Sequence, residues 1–400
     1  MARRSCTVAD AAALAAEVRR GVRGGASVAD SVRQIVAAVR SGGDRALLEY
    51  EERFGGGGAL QVSPEELEGA LAALDADVRA GLEVAIENVR AVAEAGLDPE
   101  SEVTLRQGHT VRLREEPVAR AAIYVPAGRN PYPSTVVMGA VTARAAGVGE
   151  VVVASGDDPV IHAACALCDV DAVFRMGGAQ AIAALAYGTE SVPAVDVIVG
   201  PGSLWVQEAK RQVSGDVGID GFAGPSDLTV ILSAGADPEP LRLDLLAQAE
   251  HGEDSHVVAV SDDPALLDAL AGAATTEVLA DGMDAALAFA EALAPEHLQL
   301  AGAAAEALAP GVRRAGCLFV GGETGTAFGD YVAGSNHTLP TGGAARFASG
   351  LSARHFRRRM AEVRIGGAAA ELARAGVPIA RAEGFTAHAE SMEIRQNPRP

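Results

Sequence analysis

Apolar residues recur along this chain with two different periods, and the change between them falls near Pro117. Before it, the stretch LEGALAALDADVRAGLEVAIENVRAVAEAG keeps apolar residues three and four apart, the spacing of one helical face. Ser63-Pro64-Glu65-Glu66 supplies a start signal. Ser as N-cap, Pro in the first turn and Glu three residues after the Ser make a capping box. Four glycines at 55–58 mark the loop before it. The first hundred residues are therefore expected to be helical.

After Pro117 the runs ARAAIYV, EVVVAS, AVFRM and VDVIVG are short, apolar and of strand length, and helical stretches such as STVVMGAVTARAAG and AQAIAALAYG separate them. Strand alternating with helix predicts βαβ units and a parallel sheet. A second series follows: DLTVILS, a helix over 238–251, SHVVAVS, two further helical stretches, then GCLFVGG. From about Leu351 the pattern predicts an Arg-rich helix ending in EGFTAHAESMEIRQN. The fold class is thus α/β with two lobes and a cleft between them. The lobes are placed at 117–222 and 223–350. A mainly helical region, 1–116, precedes them and contributes in part to the second lobe, and a helical tail, 351–400, follows.

Composition narrows the function. A chain of 400 residues exceeds the size at which one core stops growing, which agrees with two lobes. The net charge of −20 argues against binding nucleic acid or an anionic membrane surface, since both would repel it. Two arginines near the start are followed by Asp10 and Glu17, so no signal peptide is expected, nor is any run long enough to span a bilayer. The expected location is the cytoplasm. Cys165 and Cys168 form CALC one turn after His162, which suggests either a redox or soft-metal cluster or a buried helical face. Their place late in a helix, away from the N-terminus that would lower a thiol pKa, favours the buried face.

Several polar groups could carry chemistry. Arg175-Met176-Gly177-Gly178-Ala179-Gln180 ends a strand and opens a helix, where free N–H groups and the helix dipole favour a phosphate. A tight turn alone would explain the glycines equally well. Tyr124-Val125-Pro126-Ala127-Gly128 and Gly200-Pro201-Gly202-Ser203 also follow strands, at the edge where α/β sheets bind ligands. Glu296 and His297 place a carboxylate beside an imidazole directly after a helix, able to serve two protons or to be a cap and a surface histidine. Gly329-Asp330-Tyr331 and Gly334-Ser335-Asn336-His337 form a dense polar loop, a site loop or a turn cluster. Gln248 and His251, three apart in QAEHGEDS, share one helical face. With Asp330 and His388 they offer an amide oxygen, two imidazoles and a carboxylate, a mixed set that suits zinc with positions left for substrate.

In their order along the chain, GGDRALLEYEERF, YVPAG, GGAQAIAALAYGTESVP, VGPGSLWVQEAKRQV, AGPSD, DLLAQAEHGEDS, APEHLQL, GDYVAGSNHTLPTGG and EGFTAH resemble the histidinol dehydrogenase family. The likeness spans nearly the whole chain. It implies a homodimer of two Rossmann-like, aldehyde-dehydrogenase-like lobes, whose C-terminal tail reaches the partner's site. It also implies a zinc-dependent, NAD-linked, four-electron oxidation of L-histidinol to L-histidine through the aldehyde, at the end of histidine biosynthesis. The family's zinc ligands match Gln248, His251, Asp330 and His388, and its catalytic pair matches Glu296 and His297. Its substrate contacts match Ser226, His337 and Glu383 beside the zinc ligands and His297, and its NAD contacts match Tyr124, Gln180 and Ser203.

The chain departs from the family pattern in three places. Ser203 stands where Asn is usual, Asp227 where Glu is usual, and the stretch between SHVVAVSDD and APEHLQL is short. Two other readings stay open beside histidinol. Relatives of the family oxidise other small polar alcohols, including sulfonated diols, for which Arg129 and Arg346 are candidate anion contacts. A zinc- or nucleotide-binding protein without turnover is the third.

Overall fold

The structure, a computed structural model, describes residues 3–20, 27–126, 130–222, 224–252 and 254–396. The chain divides into two units, Met1–Gly96 with Val118–Phe356, and Leu97–Pro117 with Arg357–Pro400. No helix among the described residues is long and apolar enough to cross a membrane.

The first unit holds two parallel sheets. β4 (Arg120–Tyr124), β5 (Glu150–Ser155), β6 (Ala172–Arg175), β7 (Val197–Val199) and β8 (Gly218–Ile219) pair in the order β6-β5-β4-β7-β8. β1 (Arg4–Cys6), β9 (Asp227–Leu232), β10 (His256–Ser261), β11 (Thr276–Ala280), β12 (His297–Ala301) and β13 (Cys317–Val320) pair as β1-β11-β10-β9-β12-β13. Helices cover both faces, which is why the strands read as continuous apolar runs rather than alternating ones. Val32, Ile35, Val39 and Leu47 of the helix Ala29–Arg53 pack with Ile182 and Leu185 of the helix Gly178–Tyr187 against one face of the first sheet. Leu241, Leu245 and Leu267 cover one face of the second sheet, and Phe289 and Leu293 lie in the core of the other. The capping box forms as the sequence indicates: Ser63 Oγ accepts the Glu66 N–H, and the Glu66 carboxylate accepts the Ser63 N–H.

The second sheet has strands that hydrophobic patterning did not show. RSC at the N-terminus becomes β1 by pairing with β11, Arg4 opposite Val278. TEVLA and HLQLA, within the stretch read as helical and as a polar pair, are β11 and β12. HLQLA hides its strand character because two of its five residues are polar, yet all five are buried. Gln299 is satisfied there by donating to Asp244 Oδ2 at 2.7 Å and to the Thr324 carbonyl at 3.1 Å.

The second unit corrects the tail. The helix expected from about Leu351 begins only at Ala369, and Arg357–Arg364 is instead β14. It pairs antiparallel with β3 (Thr110–Pro117), which pairs in turn with β2 (Ser101–Thr104). Opposite charges select this register: Arg358 faces Glu116, and Arg359 faces and bonds Glu115. The helices Ala369–Ala382 and Thr386–Glu393 follow, packed through Ala373, Val377, Ala380 and Ala389.

The five-stranded sheet starts in its middle. From β4 the chain adds β5 and β6 on one flank and then β7 and β8 on the other, which opens a crevice at the carboxyl ends of β4 and β7. Gly200, just past β7, has φ +120°, and a Cβ there would lie 2.1 Å from the Tyr124 carbonyl oxygen, so only glycine fits. Its N–H donates to Asp220 Oδ2 at 2.6 Å, and its carbonyl accepts from Lys210 Nζ at 2.5 Å. Lys210 also pairs with Asp220 Oδ1 at 2.6 Å and is only 1% exposed. A buried ion pair thus clamps both polar groups of the glycine that leads the GPGS loop. Lys210→Met leaves the Asp220 carboxylate buried and unpaired, so a loss of about 3–5 kcal/mol is expected. It should appear as a clearly lower thermal unfolding midpoint, partly regained when Asp220→Asn is added; a native midpoint would show that the pair does not hold the loop.

Candidate active site

The GG turn after β6 is already furnished with acceptors. Gly177 N–H donates to Glu51 Oε1 at 3.0 Å, and Gly178 N–H to the Tyr124 hydroxyl at 3.0 Å. Gln180 Nε2 donates to the same Glu51 oxygen at 2.9 Å. Burial pushes the Glu51 carboxyl and the Tyr124 phenol above their ordinary pKa values. The helix start where the sequence suggests a phosphate therefore holds a carboxylate and a phenol of the protein itself. Tyr124 and Gln180 stand together there. Ser203 leads the helix Leu204–Val213, exposed, with no capping bond from its side chain. Nothing local in YEERF marks Glu51 for this place; it is brought by the packing of its helix.

The acid and imidazole groups lie at the opposite kind of edge. Ser226 and Asp227 precede and open β9, and Glu296 and His297 precede and open the neighbouring β12, so both pairs sit at amino ends. The helix Met283–Leu293 ends on Ala294, a non-glycine in the left-handed region with φ 53°, and Pro295 then turns the chain into Glu296. Glu296 Oε2 accepts the Asp227 N–H at 2.9 Å, and Asp227 Oδ1 accepts the Glu296 N–H at 2.9 Å. Ser226 Oγ donates to Glu296 Oε2 at 2.5 Å. Burial first, and then the neighbouring Asp227, push the Glu296 carboxyl well above the usual range, and burial pushes Asp227 up to about 7.

His297 is 3% exposed, far from the surface histidine that the sequence left open. Its Nδ1 lies 3.2 Å from the Asp227 carbonyl, which can only accept, so Nδ1 carries the proton. Nε2 is left with its lone pair, 3.7 Å from Asp330 Oδ1. Burial lowers the His297 pKa, with the Asp330 charge opposing. Burial thus favours the neutral ring, with the lone pair on Nε2.

Gln248, His251, Asp330 and His337 gather around this pair. Gln248 closes the helix Pro238–Ala249 and is buried, with Nε2 donating to Ser226 Oγ at 2.7 Å. His251 follows in the next turn, exposed, its Nδ1 3.3 Å from the Gln248 carbonyl, which leaves its Nε2 for another partner. Asp330 lies on the short helix Thr326–Tyr331, where Gly329 packs so closely on Phe319 that a Cβ would come within 2.6 Å of the ring. Burial lowers the His337 pKa to about 4, with the Asp330 charge opposing, and its buried Nε2 has no hydrogen-bond partner. Its loop is fastened by Asn336 Nδ2, which donates to the Met138 carbonyl at 3.0 Å in the π-helical turn Val137–Val141.

An amide oxygen, an imidazole and a carboxylate fit zinc chemistry with positions to spare. Among the described residues, no three His, Cys, Asp or Glu side chains form a metal cluster. Within this unit the candidate shell has only two such residues, His251 and Asp330, with Gln248 as its third member. Glu383 and His388 belong to the second unit. Glu383 ends the helix Ala369–Ala382, and His388 lies on Thr386–Glu393 with its ring 5.1 Å from that of Phe385; both are exposed.

Other sequence candidates resolve differently. Cys165 and Cys168 are buried, and burial raises both thiols, Cys168 to about 12, so CALC is a packed helical face. Arg346 Nε is bonded to the Gly343 carbonyl at 2.9 Å and its guanidinium lies over Phe347. Arg129, with Ala127 and Gly128, lies outside the described residues. Sequence reasoning saw in Asp227 only a departure from family pattern and missed that it grips the Glu296 backbone. That contact spans 69 residues and leaves no local signal.

The chain matches the histidinol dehydrogenase family model over residues 18–278 and 269–396. The two stretches meet between β10 and β12, in the region that the sequence shows as short. It is 42% identical to the histidinol dehydrogenase of Pseudomonas aeruginosa, over 92% of this chain and 91% of that one. It is 41% identical to that of Syntrophotalea carbinolica, over 96% of each. The crystal structure of histidinol dehydrogenase from Elizabethkingia anophelis superposes with a TM-score of 0.92 at 27% identity, covering 98% of both chains. The chain belongs to the histidinol dehydrogenase family.

Proposed function

We propose that the chain oxidises L-histidinol to L-histidine through L-histidinal, a four-electron oxidation that ends histidine biosynthesis. The observation that carries this reading, in a member of this family, is the buried Glu296–His297 pair with His297 Nε2 free beside Asp330. His297 Nε2 takes the alcohol proton in each oxidation. The Glu296 carboxylate, made more basic by burial, takes a proton from the water that adds to the aldehyde and so forms the hydrate for the second step. Gln248, His251, Asp330 and His388 are the residues that would hold zinc, which, when bound, orients the substrate's amine and imidazole. Tyr124, Gln180 and Ser203 would hold NAD, which supplies the hydride acceptor twice. Ser226, His337 and Glu383 are assigned to the substrate. Arg346, tied to Gly343, gives the sulfonated-diol reading no support.

The first test is stoichiometric: metal-replete protein should form two NADH for each L-histidinol, and no NADH above background sinks the reading. His297→Asn should retain zinc and lose about 10²–10⁴-fold in kcat. Glu296→Gln should form the aldehyde but oxidise it onward more slowly by a similar factor of about 10²–10⁴. If His297→Asn turns over at the native rate, its role as base is excluded.

The reading includes a homodimer in which His388 serves the partner subunit. Inactive His251→Ala and His388→Ala chains, mixed under verified subunit exchange, should then regain activity, because some heterodimers carry one complete site. No recovery would place all four ligands on one chain.

A further inference from the structure

Gln248 can act as a ligand only one way round. The two ends of its amide are nearly alike in shape, but the oxygen attracts a cation and the NH2 repels it. Buried at 2% exposure, the side chain has no bulk water to choose for it. Its neighbour Ser226 makes the choice, and the hydrogen-bond count shows how.

Ser226 Oγ stands 2.5 Å from Glu296 Oε2 and 2.7 Å from Gln248 Nε2. The hydroxyl has one proton to give. Glu296 Oε2 accepts both the Asp227 N–H, at 2.9 Å, and the Ser226 hydroxyl. The Ser226 proton is therefore committed to Glu296, and only lone pairs face Gln248. A reversed amide would set two oxygens against each other with no proton between them, leaving both buried acceptors unsatisfied. The amide is thereby held with Nε2 toward Ser226 and Oε1 as the free end. The backbone of the same residue does the corresponding job for His251, whose Nδ1 bonds the Gln248 carbonyl at 3.3 Å and leaves Nε2 free.

We propose that Ser226 is a positioning residue for the metal shell: braced by Glu296, it locks the Gln248 amide so that its oxygen is the ligand atom. The serine thus acts before any substrate arrives, and the acid/base residue Glu296 helps to define the shell. This rests on Gln248 being a zinc ligand.

Zinc affinity, measured by chelator competition on the folded apoprotein without substrate, tests it. Ser226→Ala should weaken zinc by about 10–100-fold, whereas Ser226→Thr, which keeps the hydroxyl, should stay close to native. In a Gln248→Glu background, where both ends of the side chain are oxygen, adding Ser226→Ala should cause no loss of zinc affinity. Native affinity in Ser226→Ala overturns the proposal, and so does an equal loss in both backgrounds. Gln248→Ala separates the two levels. If it binds zinc as tightly as native protein, the ligand assignment itself has failed; if it loses zinc while Ser226→Ala does not, only the positioning role has failed.

Discussion

Two carboxylates, each accepting the other residue's backbone N–H, hold the amino ends of β9 and β12 together. Asp227 and Glu296 are 69 residues apart in the chain, and this reciprocal pair joins them across the strand boundary where the second sheet switches direction of growth. Everything chemical nearby leans on it. The Asp227 carbonyl sets the tautomer of His297, and the Glu296 carboxyl takes the Ser226 proton, which in turn orders Gln248. Burial raises the pKa of both acids, so the same desolvation that costs stability also makes the Glu296 carboxylate a stronger base than an exposed one. The shorter Asp227 side chain is no vacancy in this arrangement, since it still reaches the Glu296 amide.

The two sheets present their candidate groups at opposite edges. In the first sheet the candidate cofactor groups stand at carboxyl ends, the usual ligand edge of a doubly wound sheet. In the second, Ser226, Glu296 and His297 stand at amino ends. Glu51 adds a feature of its own beside Tyr124 and Gln180. By accepting the Gly177 N–H and the Gln180 side-chain amide, it puts a carboxyl group where a Rossmann fold would ordinarily receive a phosphate. The residues Tyr124 and Gln180 are therefore arranged around a carboxylate, not around an empty anion hole.

Local physics explains which expectations matched the structure. The capping box at Ser63, the glycine loop before it and the buried CALC face each depend on a few neighbouring residues, and each is found as the pattern indicates. The parallel strands from β4 to β7 were legible because strands buried on both faces must be apolar throughout. β12 was not, because HLQLA carries polar side chains whose partners, Asp244 and Asp227, come from other strands and helices. β14 failed for the complementary reason. RRRMAEVR has no apolar alternation, and only the facing Glu115 and Glu116 make it a strand.

By itself the sequence determined the α/β class, the family and the residue types gathered for chemistry, because ordered motifs and periodicity survive without knowledge of contacts. Only tertiary structure decided which atom of each residue is free to act. A glutamine does not specify which end of its amide faces a ligand, nor a histidine which nitrogen carries the proton. Those choices were made by a carbonyl, a hydroxyl and a carboxylate brought from distant parts of the chain, since hydrogen-bond direction is set by partners and not by spacing.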